Sequence, residues 1–474
     1  MDGVKQRAAI AGRIVVTGVL KLQSPLLIAS GGEQYSTRDM PDRTVLCDKC
    51  GRPYIPATSL AGVLKHLADE DNDCEIGKMF FGSQASDRDS IQSSLIFSDV
   101  LLDNAKIITR DGVCIDDYAG VAVKGKKFDF ELVDRGAAGS FQLQMTVRNC
   151  HLNEAGELKA ELRQSWDWLL QKLATGFSLG AGTAKGLGKA KIDKPVVDEY
   201  WFSHSEDVVA WLDPVGRKDA LKHYRITNVN AEKLYRPSDC VVEADFMLNN
   251  SVLIRDYDIK ARAEAEKNAD GDDVSITAVA LRSGNDYVIP GSSLKGALRK
   301  HGIYIADRLG KSSWLIDHLM GPSNEYMNLH KDEENSKWKS RLVVDEVYIN
   351  KSAVQPVTQV RNSIDRFTGG TIRSRLFGTQ GIYGKDSSGA QVHIKLVIEK
   401  AEEQEIGLML FLLRDLWQGK VALGGEKSIG RGCLKGFLAN IYYGGRRFTL
   451  KDDFSADDVA ELAKYAQSLA EYGA

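Results

Sequence analysis

The chain has 474 residues, a formal net charge of -3 and 43% hydrophobic residues. That apolar content excludes global disorder, and the length allows two to four domains. No apolar run approaches the ~20 residues that span a bilayer, so no membrane association is expected. The near-neutral charge neither supports nor excludes nucleic-acid binding, because acidic runs such as Glu70 to Asp73 and Asp452 to Asp457 can mask a local basic groove. The N-terminus is polar and lacks the apolar core of a signal peptide. Seven cysteines, odd in number and irregularly spaced, argue for a reducing, cytoplasmic setting.

Ala9 to Leu22 reads as an opening strand. Ser30 to Asp48 is a polar loop long enough to be functional. Tyr54-Ile55-Pro56-Ala57-Thr58-Ser59-Leu60 then forms a strand–turn–helix corner, since proline fixes φ and biases its predecessor towards β. The helix runs through Lys65, His66 and Leu67. Leu95 to Leu102 is a further strand. Ile115 to Gly120 is a loop leading to a basic hairpin with Lys124, Lys126 and Lys127. Phe141 to Arg148 alternates as a strand, and Leu158 to Ala174 has helical periodicity. Leu179 to Lys189 closes the half as a glycine-rich basic loop.

The second half repeats this order. Cys240 to Leu248 is a strand, and a polar loop holds Asp270, Asp272 and Asp273. A second corner follows, Ile289-Pro290-Gly291-Ser292-Ser293-Leu294-Lys295, in which Ser292 or Ser293 is expected to cap the helix. Arg341 to Tyr348 matches the Leu95 strand, and Ile364 to Gly370 matches Ile115 to Gly120. Gln391 to Glu399 is a strand and Ile406 to Trp417 a helix. In the closing loop, Gly424, Gly430 and Gly432 align without a gap with Gly180, Gly186 and Gly188. So many landmarks in one order indicate an internal repeat. We expect domains at 1–200 and 235–474, with 201–234 as connector.

Each half reads as β–α–β…β–α–β, the ferredoxin-like or RRM-like order. The Ile-Pro corner, the Ile364-Asp365-Arg366-x-Thr368-Gly369 loop and the closing glycine-rich loop together resemble the CRISPR-associated RAMP superfamily. Each half is similar to the backbone subunit of type III effector complexes, and the chain resembles the tandem fusions of type III-D-like systems. The resemblance implies an α+β protein of two fused ferredoxin-like (RRM-like) RAMP domains with inserted loops and thumb β-hairpins. It implies CRISPR RNA, target RNA, other backbone and RAMP subunits and a large signalling subunit as partners.

Read from spacing alone, the glycine-rich loops are either phosphate cradles or tight turns that pack a helix on a sheet. With the resemblance, the expected RNA contacts are Ser59 and Lys65 at the first corner and Ser292, Ser293, Lys295 and Arg299 at the second. Lys185, Lys189, Lys427 and Arg431 belong to the loops, and Lys124, Lys126, Arg361 and Arg366 to the thumbs, with Arg373 and Arg375 beside them.

By the same resemblance, an aspartate ahead of the first corner supports metal-dependent RNA cleavage. Asp42 occupies that place, with Thr44 where relatives carry proline, and Asp39 is the nearby alternative. In the second half the matching stretch, Ile276 to Val279, has no aspartate, which leaves Asp272 or Asp273 upstream. Mg²⁺ or another divalent metal is the implied cofactor. Cys47-Asp48-Lys49-Cys50 has zinc-knuckle spacing, and Cys74 and His66 would complete a Zn²⁺ site. Two other readings stand beside the nuclease: a non-catalytic RNA-binding scaffold, and a metal-independent guide-processing endoribonuclease of the same superfamily.

Overall fold

The computed structural model describes residues 8–30, 41–71, 80–82, 92–116, 120–213, 222–226, 235–256, 259–267, 275–330, 337–385, 390–455 and 459–473. The chain divides into two compact units. Unit 1 holds Met1–Thr109, Asp129–Thr183 and Gly188–Leu234. Unit 2 holds Arg110–Phe128, Ala184–Leu187 and Tyr235–Ala474. Two short stretches from the first half of the sequence, the far part of the basic hairpin and the middle of the first glycine-rich loop, therefore belong to unit 2.

Unit 1 is built on β1 (Ile10–Leu22), α1 (Ala57–Asp71), β2 (Leu95–Phe97), the basal ends of the hairpin strands β3 (Ile107–Ile115) and β4 (Ala122–Val133), β5 (Ala138–Arg148), α2 (Ala160–Thr175), β6 (Lys189–Trp201) and β7 (Lys222–Arg225). Its main sheet runs β7-β6-β1-β5-β2, every neighbouring pair antiparallel. Strand β1 is central because Ile14, Val16, Leu20 and Leu22 supply an inward apolar row. Helix α2 answers with Leu162, Trp166, Leu169, Leu170 and Leu173, spaced three and four apart so that they share one face. Trp166 is fully buried and meets Phe80 at a centroid distance of 6.2 Å. Burying each such side chain contributes about 1.5–3 kcal/mol.

Unit 2 repeats the plan with β8 (Cys240–Leu248), β9 (Asp286–Ile289), α3 (Gly291–Arg308), β10 (Leu342–Val344), β11 (Val354–Ile364), β12 (Thr371–Gly384), β13 (Gln391–Ile398), α4 (Glu403–Trp417), β14 (Leu434–Tyr443), β15 (Arg446–Leu450) and α5 (Val459–Glu471). Its sheet runs β10-β13-β8-β14-β15. Strands β10, β13, β8 and β14 stand where β2, β5, β1 and β6 stand in unit 1. Even the edge register agrees: Leu95 faces Met145 and Leu342 faces Ile398. The fold is α+β, with two ferredoxin-like cores carrying long inserted hairpins, as the sequence indicates. Among the described residues no helix is long and apolar enough to cross a membrane.

The corner helices start differently from expectation. Helix α3 begins at Gly291 with Pro290 as its N-cap, and no side chain caps it. The serines therefore stand one and two residues inside the first turn, too late to act as N-caps. In unit 1 the cap is remote in sequence: the Ala57 amide donates to Asp99 Oδ1 at 2.7 Å.

Candidate nucleic-acid interface

The glycine-rich loops are held by backbone bonds to the chain that follows the first strand of each core. In unit 2, Leu423 N donates to Gly432 O (2.9 Å), Gly432 N to Ser251 O (2.6 Å) and Gly425 N to Leu253 O (2.8 Å). In unit 1, Leu179 N donates to Gly188 O (2.9 Å), Gly188 N to Pro25 O (2.7 Å) and Ala181 N to Leu27 O (2.8 Å). A Cβ on Gly432 or Gly188 would overlap the carbonyl of Leu423 or Leu179, and both glycines have positive φ. Glycine is required there by backbone contact within the protein. In unit 2 this leaves 427–430 exposed beyond the anchor points.

The expected RNA-binding cations separate into two groups. Lys295 is 7% exposed, and its Nζ lies 2.5 Å from Ser340 Oγ, 2.8 Å from Leu342 O and 3.3 Å from Ala184 O. It ties the corner helix to its neighbours and does not face solvent. Arg299 is half-buried, pairs with Asp317 at 2.7 Å and donates to Gly321 O. Arg431 is 1% exposed and pairs with Glu426. Arg361 pairs with the same carboxylate at 2.9 Å. In this structure each of these four has a protein oxygen as partner.

The second group faces outward. Lys124, Lys126, Lys185, Arg366 and Lys427 are exposed, and no side-chain hydrogen bond or ion pair to another described residue holds them. Sequence reasoning missed a sixth, Lys300, on the corner helix five residues beyond Lys295. A Cβ on Gly120, at the hairpin tip, would run into its ammonium. Burial, and then the Lys300 charge, hold the Lys427 ammonium below the usual lysine range. Lys300 thus stands between the β3–β4 hairpin tip and the closing loop, all within unit 2. Like charges kept this close favour an anion. The missed signal was the basic helix itself, whose outward face continues past the corner.

The hairpin tips differ in chemistry. At the β11–β12 tip, Asp365 Oδ1 accepts from Phe367 N (2.9 Å), Thr368 N (2.8 Å) and Thr368 Oγ (3.1 Å). Those bonds hold the Asp365 carboxyl below its ordinary range and set the turn. Phe367 is left 91% exposed on it.

The remaining expected residues sit as follows. Ser59, Lys65, Lys189 and Ser293 are half-buried, and Ser292 and His66 are exposed. Asp42 is exposed. Its Oδ2 accepts from Asp129 N at 3.2 Å, and its own N donates to Asp129 O (3.1 Å) and Oδ1 (3.2 Å). The loop before the first corner is thereby laid along β4, and Val45 N extends the contact to Glu131 Oε2 at 3.0 Å. Asp39, Asp272, Asp273 and Cys74 lie outside the described residues.

Cys47 and Cys50 flank a turn in which Asp48 Oδ1 accepts from Cys50 N (2.8 Å) and Arg52 N (2.9 Å). Burial, then the charges of Glu131 and Asp48, push the Cys47 thiol up. His66 does not gather with the two thiols: among the described residues the one close group of potential ligands is His318, Glu402 and Glu405. That group is already served by Arg341, which donates to Glu405 and approaches His318 Nδ1 at 3.0 Å.

The sequence matches the family model of the RAMP superfamily over residues 19–191 and again over 268–435. The chain belongs to the RAMP superfamily. The two matched segments make it a two-copy RAMP protein, one copy for each ferredoxin-like core. No curated protein matches the sequence. RAMP membership supports a CRISPR-associated, RNA-binding subunit.

In this RAMP protein the buried Lys295 yields a pH prediction. Burial, then the charges of Lys185 and Arg299, push its pKa down to about 7 from the ordinary 10.5. The folded protein thus gives up a proton that the unfolded chain keeps to higher pH, so this group makes stability rise as pH climbs from about 7 towards 10. The urea midpoint should gain between about pH 6.5 and 8.5, and Lys295→Met should flatten that gain. Equal slopes for the two proteins would show that Lys295 stays charged in the fold.

Proposed function

We propose that this protein is a backbone subunit of a type III, III-D-like CRISPR effector complex. It binds CRISPR RNA through both copies and cleaves the paired target RNA from its first copy. The observation that carries the RNA path is the split among the cations. Four expected contacts have protein partners, whereas Lys124, Lys126, Lys185, Lys300, Arg366 and Lys427, on the hairpins, the corner helix and the glycine-rich loops, have no side-chain bond to another described residue. Such cations at loop and helix ends suit a phosphate backbone. Phe367, exposed on a tip braced by Asp365, suits insertion between bases, because an aromatic face stacks on any base. Partners are the guide, its target, neighbouring backbone and RAMP subunits and the large signalling subunit.

For cleavage, the Asp42 and Asp129 carboxylates each accept one bond from the other residue's backbone amide, and each leaves one oxygen outside those bonds. That donor set fits a hard, oxygen-binding cation such as Mg²⁺. When bound, the ion supplies charge stabilisation at the scissile phosphate. Asp42 would hold it, and Asp129 orients Asp42 through its backbone amide. In the assembled complex, Asp42→Ala should abolish one set of cuts while guide binding persists. Phe367→Ala should weaken target pairing or shift the cut register without loss of folding. Cleavage unchanged in Asp42→Ala makes the protein a scaffold instead.

We also infer a structural zinc resting on Cys47 and Cys50, with Cys74 as a third thiolate and His66, which does not group with the two thiols in this structure, as the candidate fourth ligand. Soft thiolates across a tight turn are the donor type zinc takes. Metal analysis should find about one zinc per chain in the wild type and none in Cys50→Ser; no zinc in either rejects the site.

A further inference from the structure

Glu426 has a backbone conformation that its side chain disfavours. Its φ of 58° and ψ of 35° are left-handed, a region that L residues other than glycine, asparagine and aspartate seldom occupy. The ungapped alignment of the two glycine-rich loops puts Gly182, at φ 77°, in the corresponding place. The first copy thus uses the residue this conformation favours, and the second uses a carboxylate.

That carboxylate is almost fully buried between two guanidinium groups. Glu426 Oε2 lies 2.9 Å from Arg431 Nε and 2.9 Å from Arg361, and Thr379 Oγ is 3.5 Å away. Arg431 reaches Gln359 Oε1 at 2.7 Å, Arg361 reaches the same oxygen at 2.9 Å, and Gln359 Nε2 donates to the Tyr383 hydroxyl at 2.7 Å. Gln359 pairs across the hairpin with Thr379, so Gln359 and Arg361 on β11 and Thr379, Gly381 and Tyr383 on β12 share one face. Gly381 is part of the fit, because a Cβ there would overlap the Arg431 guanidinium. The first copy has Leu187 where the second has Arg431, so it lacks both charges.

We propose that Glu426 is a positioning residue that fixes the β11–β12 hairpin to the closing glycine-rich loop, so that Phe367 and Lys427 are held to one RNA strand. This rests on the RNA-binding reading above. A left-handed, non-glycine residue persists where surrounding contacts over-determine it, and here those contacts join the hairpin base to the loop. Neither Phe367 nor Lys427 takes part in the network.

The test uses the full chain and a fluorescent single-stranded RNA. Glu426→Gln alone leaves Arg431 buried without a counter-charge and is expected to lower the thermal midpoint. The deciding variant is Glu426→Gly with Arg431→Leu, which copies the first loop, removes the fully buried guanidinium together with the carboxylate, and leaves the partly exposed Arg361 on Gln359 Oε1. It should stay folded, lose hydrogen-exchange protection across 354–364 and 371–384, and bind RNA roughly five- to tenfold more weakly. Wild-type protection in the double variant would overturn the proposal, as would lost protection with unchanged affinity. If the wild-type chain binds no RNA, the RNA reading fails and the role in RNA placement falls with it. The exchange comparison then still decides whether Glu426 holds the hairpin.

Discussion

Both cores depend on one close crossing of backbone on backbone. Gly188 in the first copy and Gly432 in the second each pass so near a leucine carbonyl that no side chain fits, and each amide is bound by the segment that leaves the first strand. The crossing joins the last strand of each ferredoxin-like core to the chain leaving its first. It explains the glycines at 188 and 432; those at 180 and 424 crowd the carbonyls of Leu27 and Leu253 in the same way, and those at 186 and 430 share a positive φ. It also fixes where the loop leaves the core, and so which residues lie at its exposed end.

The functional surface follows from what remains once the interior is satisfied. Internal oxygens take up Lys295, Arg299, Arg361 and Arg431. Lys124, Lys126, Lys300 and Lys427, on the hairpin, the outward face of the corner helix and the loop end, form no ion pair with another described residue. The two copies share a plan and differ in how they use it. The first carries the loop in which Asp42 lies along β4. The second carries a loop whose carboxylate and guanidinium bind its hairpin.

Much of this was legible in the sequence. The order of landmarks gave the repeat, and the aligned glycines marked the backbone crossing. The strand and helix periods gave the ferredoxin-like order in each core. What the sequence concealed was the fate of individual charges. Lys295 and Arg431 read as basic residues in exposed motifs, but the side-chain partners of Lys295 lie 45 to 111 residues away, and Arg431 adds to the nearby Glu426 a bond to Gln359, 72 residues away; local pattern carries no trace of the distant pairings. The same holds for the helix cap from Asp99. His66 shows the converse: it stands near the cysteine turn in sequence, yet its exposed side chain does not gather with the two thiols in this structure. Lys300 was within reach, since its helix was already identified as basic.

The most direct test of the central claim is photo-crosslinking of a 4-thiouridine-substituted guide RNA to the full-length protein, with the modified peptides mapped by mass spectrometry. The account predicts adducts on peptides containing Lys124 and Lys126, Lys300, Phe367 and Lys427. Adducts confined to β15 and α5, with those peptides unmodified, would contradict it.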